Sequence, residues 1–161
     1  MTGLETIPVG VAEYALSTDE RPLSTSGVGS CGVVAIHDES AMVSGLLHFM
    51  LPRASARTGR DGDAKFADAG LEALFSAFEA QGGRTTRAWA KLAGGAAMFD
   101  FDSFETPVGE QNVAAAQDEL RSRGVSIRAA DVGGNVGRHV TFDPRTGQLI
   151  VKTADGERER Y

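Results

Sequence analysis

A single cysteine, Cys31, stands among 161 residues. One thiol excludes an internal disulfide and a cysteine-based zinc site. The histidines His37, His48 and His139 lack metal-ligand spacing, so neither a metal nor any other cofactor is expected. No apolar run approaches the roughly 18 residues that span a bilayer. The opening "MTGLETIPVG" has neither the basic nor the apolar segment of a signal peptide. The expected compartment is therefore the cytoplasm, without membrane insertion. Cationic blocks are also missing: the formal net charge is −6, and the one basic run is the short "ERER" near the C-terminus. Nucleic-acid binding, which needs a cationic surface to displace counterions, is not expected.

Glycine is in surplus, with 20 residues gathered in "GVGSCG", "GRDGD", "AGGAA" and "DVGGNVG". Such clusters mark loops with unusual backbone geometry or close approach. Between them lie ordinary elements. Ile7–Leu16 reads as a first strand, and Cys31–His37 with Ala41–Leu51 as a β-hairpin around "DES". Pro52 stops that strand, and Arg53–Asp63 reads as a polar, mobile loop. Asp63 is the expected N-cap of a helix whose Leu71, Leu74, Phe75 and Phe78 share one face, with Gly82-Gly83 ending it. "TTRAWAKLAGG" predicts another strand. A second helix is expected over Glu110–Arg123, with Val113, Ala116 and Leu120 as its apolar stripe and Gly124 closing it. "VSIRAADV", "RHVTFD" and "QLIVKTAD" follow as strands, the last two joined by a "PRTG" turn. This order predicts an α/β (α+β) sandwich with mixed or antiparallel sheets and two main helices. One domain over 1–161 is expected, with its core at about 7–153 and the terminal segments outside it.

A register argument links the cysteine to a histidine. If the hairpin loop is Glu39-Ser40, or Asp38 to Ala41, opposed residues pair as 37 with 42, 35 with 44 and 33 with 46. Cys31 then faces His48. Directly opposed side chains share a face, with Cβ atoms roughly 4.5–5.5 Å apart, close enough for thiol and imidazole to hydrogen-bond. The imidazole can take the thiol proton, making Cys31 a nucleophile. The glycines of "GVGSC" let backbone N–H groups, those of Ser30 and Cys31 among them, converge on an oxyanion. Thr25 and Asp131 are both suitable third groups for the imidazole, and spacing does not choose between them.

These residues carry a resemblance. "TSGVGSC", "HFMLP", "KLAGGAAMF" and "DVGGNVGR" follow in the order found in the CheD family of chemoreceptor glutamine deamidases. The likeness runs from about "VGVAEY" to "TGQLIV". It implies a three-layered sandwich and a hydrolase, a protein-glutamine glutaminase. The enzyme would convert glutamines on the cytoplasmic helices of methyl-accepting chemotaxis receptors to glutamate, releasing ammonia. Receptor methyl esters are a further substrate of some members, and the phosphatase CheC is a regulating partner in many bacteria. The family's catalytic Cys, His and Thr fall on Cys31, His48 and Thr25. Gln111, Ala93 and Phe66 depart from residues common in the family, and none of them is a catalytic group.

Gly29 and Ser30, Gly94-Gly95 and Gly133-Gly134 are the expected oxyanion and substrate loops. "DVGGNVGR" precedes a strand rather than opening a helix, which argues against a dinucleotide fingerprint. Arg138 suits an acidic receptor surface or a solvated strand position. His37 and His139 read as structural, and Trp89 as core. A different Cys-His amidase, thioesterase or peptidase, or a non-catalytic receptor- or CheC-binding adaptor, are the competing functions.

Overall fold

The structure, a computed structural model, describes residues 5–54, 63–97 and 106–161. Ten strands and two helices are found among them: β1 (Ile7–Pro8), β2 (Glu13–Ser17), β3 (Leu23–Val28), β4 (Gly32–Asp38), β5 (Val43–Phe49), α1 (Ala67–Ala80), β6 (Trp89–Gly94), α2 (Val108–Ser122), β7 (Ser126–Val132), β8 (Arg138–Asp143), β9 (Gln148–Thr153) and β10 (Arg158–Arg160). One sheet has the order β1-β3-β8-β9-β10, the other β2-β5-β4-β6-β7. Each is mixed, since β1 runs parallel to β3 and β6 parallel to β7, while the remaining pairs are antiparallel. This is the expected α+β class.

Burial explains the layering. Every residue of β4 and β5 is buried, because this hairpin lies in the middle of three layers. Val34, Ile36, Val43 and Leu47 face the helices, where Leu71, Leu74, Phe78, Ala116 and Leu120 complete one core. Val33, Ala35 and Leu46 face the other sheet and pack with Leu23, Trp89, Val140, Phe142 and Val151 in a second core. Alternating side chains thus serve two apolar neighbours, which is why the hairpin reads as continuous hydrophobic runs.

Several sequence expectations need correction. Ile7–Leu16 is not one strand: the chain turns through Val11-Ala12, with Ala12 at φ 61°, and its halves join different sheets. Gly27 and Val28, expected in the "GVGSCG" loop, belong to β3. Helix α1 starts at Ala67 rather than after Asp63. The Asp63 carboxylate instead accepts the Lys65 N–H at 3.0 Å, and the N-cap is Phe66 without a side-chain cap. Past the expected core limit, residues 158–160 pair with β9 and Tyr161 bonds Leu149 through both backbone groups.

The hairpin exists, but its register differs. The turn occupies 39–42, centred one residue later than expected, so Val33 and not Cys31 faces His48. Every opposed pair moves by an even number of residues. An even shift keeps each side chain on its face, whereas an odd one would have reversed it. The shift keeps the parity of the expectation, while Cys31 itself lies just before β4, outside the ladder.

Candidate functional site

The site forms where the layer between the two sheets opens at one end. His48 comes from β5, and Thr25 from β3 in the facing sheet. Cys31 lies in the loop that carries β3 into β4. Thr25 Oγ1 and His48 Nδ1 are 2.7 Å apart, with Thr25 3% exposed and His48 fully buried. His48 Nε2 is also buried and has no hydrogen-bond partner among the described residues. A buried unpaired polar atom costs about 1–3 kcal/mol, and such costs persist where a site uses the atom. Cys31 is half-buried. Of the two third-group possibilities, the imidazole bonds Thr25, through the hydroxyl.

Burial sets the resting protonation. It pushes the Cys31 thiol up, against an opposing pull from the residue's own N–H. It also pushes the His48 imidazole below its ordinary 6.5. Both shifts favour the neutral pair over a thiolate–imidazolium pair.

The cysteine loop is held entirely through its carbonyls. Gly29 O accepts from Ala96 N–H at 2.9 Å and Cys31 O from Gly95 N–H at 2.8 Å. Ser30 O accepts from Asn112 Nδ2 at 2.9 Å. The loop thus keeps two backbone donors unpartnered among the described residues, those of Gly29 and Ser30. Gly94 O accepts in turn from Gly133 N–H, and Gly134 O from Ala97 N–H, both at 2.9 Å. The three glycine segments expected around the site are thus bonded to one another. A cavity of about 240 Å³ lies beside them, lined by Gly95, Pro107, Glu110, Val113 and Gly133-Gly134. Met98 and Phe99 of "AGGAAMF", and residues 55–62 of the expected Arg53–Asp63 loop, lie outside the described residues.

Asn112 was not singled out from sequence. It is fully buried on α2, and its Nδ2 also donates to Met50 O at 2.9 Å. One amide therefore ties the Cys31 loop to the segment leaving His48. The signal was present: Asn112 lies three and four residues before Ala115 and Ala116, on the buried stripe, where a polar side chain needs partners. Asn112→Ala leaves the Ser30 and Met50 carbonyls without these donors. We expect a loss of about 2–3 kcal/mol in urea unfolding, with a larger fractional fall in turnover than in substrate affinity.

Other expectations sort themselves by contact. Arg138 is 7% exposed and is no receptor-facing residue. It bonds Asp131 Oδ1 at 3.1 Å and the carbonyls of Gly133 and Gly94 at 2.8 and 3.4 Å. Asp131 also accepts from the Tyr161 hydroxyl at 2.8 Å; burial and this carboxylate push Tyr161 up to about 12. Asp131 is thus part of the frame of the glycine loop. His37 is a core residue, bonded to Ser44 Oγ at 2.7 Å and packed edge-on to Trp89. His139 is exposed and bonds Ser26 Oγ at 2.6 Å.

Comparisons with known proteins agree with one another. A family model described as CheD chemotactic sensory transduction matches residues 50–153. A Syntrophomonas wolfei protein called probable chemoreceptor glutamine deamidase CheD is 39% identical, over 94% of this chain and 96% of its own. A Haloarcula marismortui protein of the same name is 42% identical, over 94% of this chain and 87% of its own. The chemoreceptor glutamine deamidase CheD of Halalkalibacterium halodurans is 37% identical, over 96% and 98% respectively. Among solved structures, a Neisseria meningitidis protein of the DUF152 family has a similar fold, with TM-score 0.51 and 12% identity over 83% of this chain and 64% of its own. Among the described residues no helix is long and apolar enough to cross a membrane.

Proposed function

The chain belongs to the CheD family, and from that membership we propose that it is a cytoplasmic, single-domain hydrolase that deamidates glutamine side chains of methyl-accepting chemotaxis receptors. The observation that carries the mechanism is the His48 imidazole, bonded to Thr25 at Nδ1 and unpaired at Nε2. With the ring proton on Nδ1, donated to Thr25 Oγ1, the Nε2 lone pair is free to take the Cys31 proton as sulfur attacks the amide carbon. The N–H groups of the Gly29–Cys31 loop hold the oxyanion. His48 returns the proton to the departing nitrogen, and ammonia leaves a thioester. Water then attacks the thioester with His48 as base, releasing glutamate and the restored thiol. A receptor methyl ester would enter the same path and release methanol. CheC is the partner we assign to regulation. The change in charge on the receptor is the signal produced.

The test is incubation with purified receptor cytoplasmic fragments, followed by peptide mass spectrometry and ammonia release. Glutamine-to-glutamate conversion is the expected product. Because His48 must be neutral and burial lowers its titration, the acid limb of the rate profile should have its midpoint below the ordinary imidazole value of 6.5. Conversion absent on receptor fragments, with hydrolysis of other amides retained, would overturn the substrate assignment.

A further inference from the structure

The outer face of the sheet β1-β3-β8-β9-β10 carries a line of cations on an acidic protein. His139 on β8 directly opposes Lys152 on β9, and Lys152 opposes Arg158 on β10. Arg160 lies one row further along β10, opposite Ile150. The three cations Lys152, Arg158 and Arg160 are exposed, as is His139, and none of the three has an ion-pair partner among the described residues. Nearby carboxylates are engaged elsewhere: Asp143 pairs with Arg145 at 3.4 Å, and Asp155 accepts from Thr153 Oγ1. Glu159, alternating with Arg158 and Arg160, projects from the other side of β10. Like charges directly opposed on neighbouring strands repel, so the row is maintained against its own electrostatics.

Its position matters. The row starts beside the bulge between Thr25 and Val28, where β3 leaves for the Cys31 loop. An open groove of about 610 Å³ runs there, floored by Gly27 and Gly137 and walled by His139, Lys152 and Thr153. His139, Lys152 and Arg158 stand one strand spacing apart, about 4.8 Å each, with Arg160 two residues further along β10, in a line rather than a ring. A single phosphate would need converging donors; a line fits a series of carboxylates along a peptide.

We propose that this row binds a glutamate-bearing segment of the receptor substrate, flanking the glutamine presented to Cys31. The identity of the occupant rests on the deamidase reading; the anionic chemistry does not. Each completed deamidation adds a carboxylate to the receptor, so the row would favour receptors already partly converted.

The test uses full-length enzyme and two receptor fragments that differ only in glutamine or glutamate at positions flanking one target. Wild-type enzyme should show a KM about tenfold lower for the glutamate fragment, and added salt should erase the difference. The double variant K152Q/R158Q should lose the preference with kcat unchanged; both side chains are exposed, and circular dichroism checks the fold. Equal KM values in the wild type, or a preference retained by the double variant, overturn the proposal. Should no receptor fragment be deamidated, the deamidase reading fails alone, and binding of a glutamate-rich helical peptide then decides. Salt-sensitive binding weakened by K152Q/R158Q supports the row, and binding unchanged by the substitutions overturns it.

Discussion

Cys31→Ala should lower receptor deamidation by at least about a thousandfold while leaving the fold almost as stable as before. The large effect follows because the nucleophile forms the bond that is later hydrolysed, and no neighbour can replace it. Ser30 adjoins it in the same loop, but its hydroxyl is a far weaker nucleophile than a thiol. The small stability effect follows from position. Cys31 is half-buried and belongs to neither of the two apolar cores, so losing its sulfur costs at most about 1 kcal/mol. His48→Ala should behave differently. It also stops turnover, but it empties a fully buried position and strips Thr25 Oγ1 of its partner, with a cost of about 2–4 kcal/mol. The contrast separates chemistry from architecture. The Cys31→Ala protein should still bind receptor fragments, and mass spectrometry should find their glutamines intact. Conversion by this variant at near wild-type rate would sink the thiol mechanism, and full signalling by it in cells would favour an adaptor role.

How far the sequence led differs from one residue to the next. The β4–β5 hairpin, which carries His48 and has Cys31 just before it, was legible because both strands are continuous apolar runs, but in an inexact register. The turn at 39–42 is set by Asp38, which accepts from Ala41 N–H at 3.3 Å and is itself held by Arg87 at 2.9 Å, 49 residues away. Turn geometry fixed by so distant a residue leaves no local trace, whereas the parity of side chains survives any even shift. Thr25 was one of two third groups suitable by type, and only the resemblance chose it; in isolation "STSGVG" reads as loop because Gly27 interrupts the alternation. Asn112 and Arg138 were harder for one reason. Each is a polar side chain whose partners are backbone carbonyls, and carbonyls have no sequence signature.

Gly94→Ala should have the second large effect, and it measures how tightly the nucleophile loop is clamped. Gly94 sits at φ +106°, and a Cβ there would lie 2.3 Å from Cys31 O, 2.9 Å from Val28 Cγ1 and 3.2 Å from Gly32 Cα. Two of these atoms are backbone. The Cys31 carbonyl is fixed by Gly95 N–H, and the Gly94 carbonyl is itself bonded to Gly133 N–H, so neither side can yield cheaply. Gly82 supplies the comparison. It has a similar φ of +99°, but nothing lies within 4 Å of its Cβ position. Gly82→Ala therefore carries the backbone strain alone, about 1–2 kcal/mol. Gly94→Ala adds an overpacking cost of about 1–3 kcal/mol. In urea unfolding the Gly94 variant should lie below the Gly82 variant by that difference. Activity should divide more sharply: Gly82→Ala keeps near wild-type deamidation, whereas Gly94→Ala loses most of it under conditions where the protein is still folded. That loss would arise because the methyl pushes the Cys31 carbonyl, which carries the thiol and the neighbouring N–H donors with it. Equal stability and equal turnover in the two variants would mean that the Gly94–Cys31 contact relaxes freely, and that the loop is not held in the geometry on which the oxyanion cradle depends.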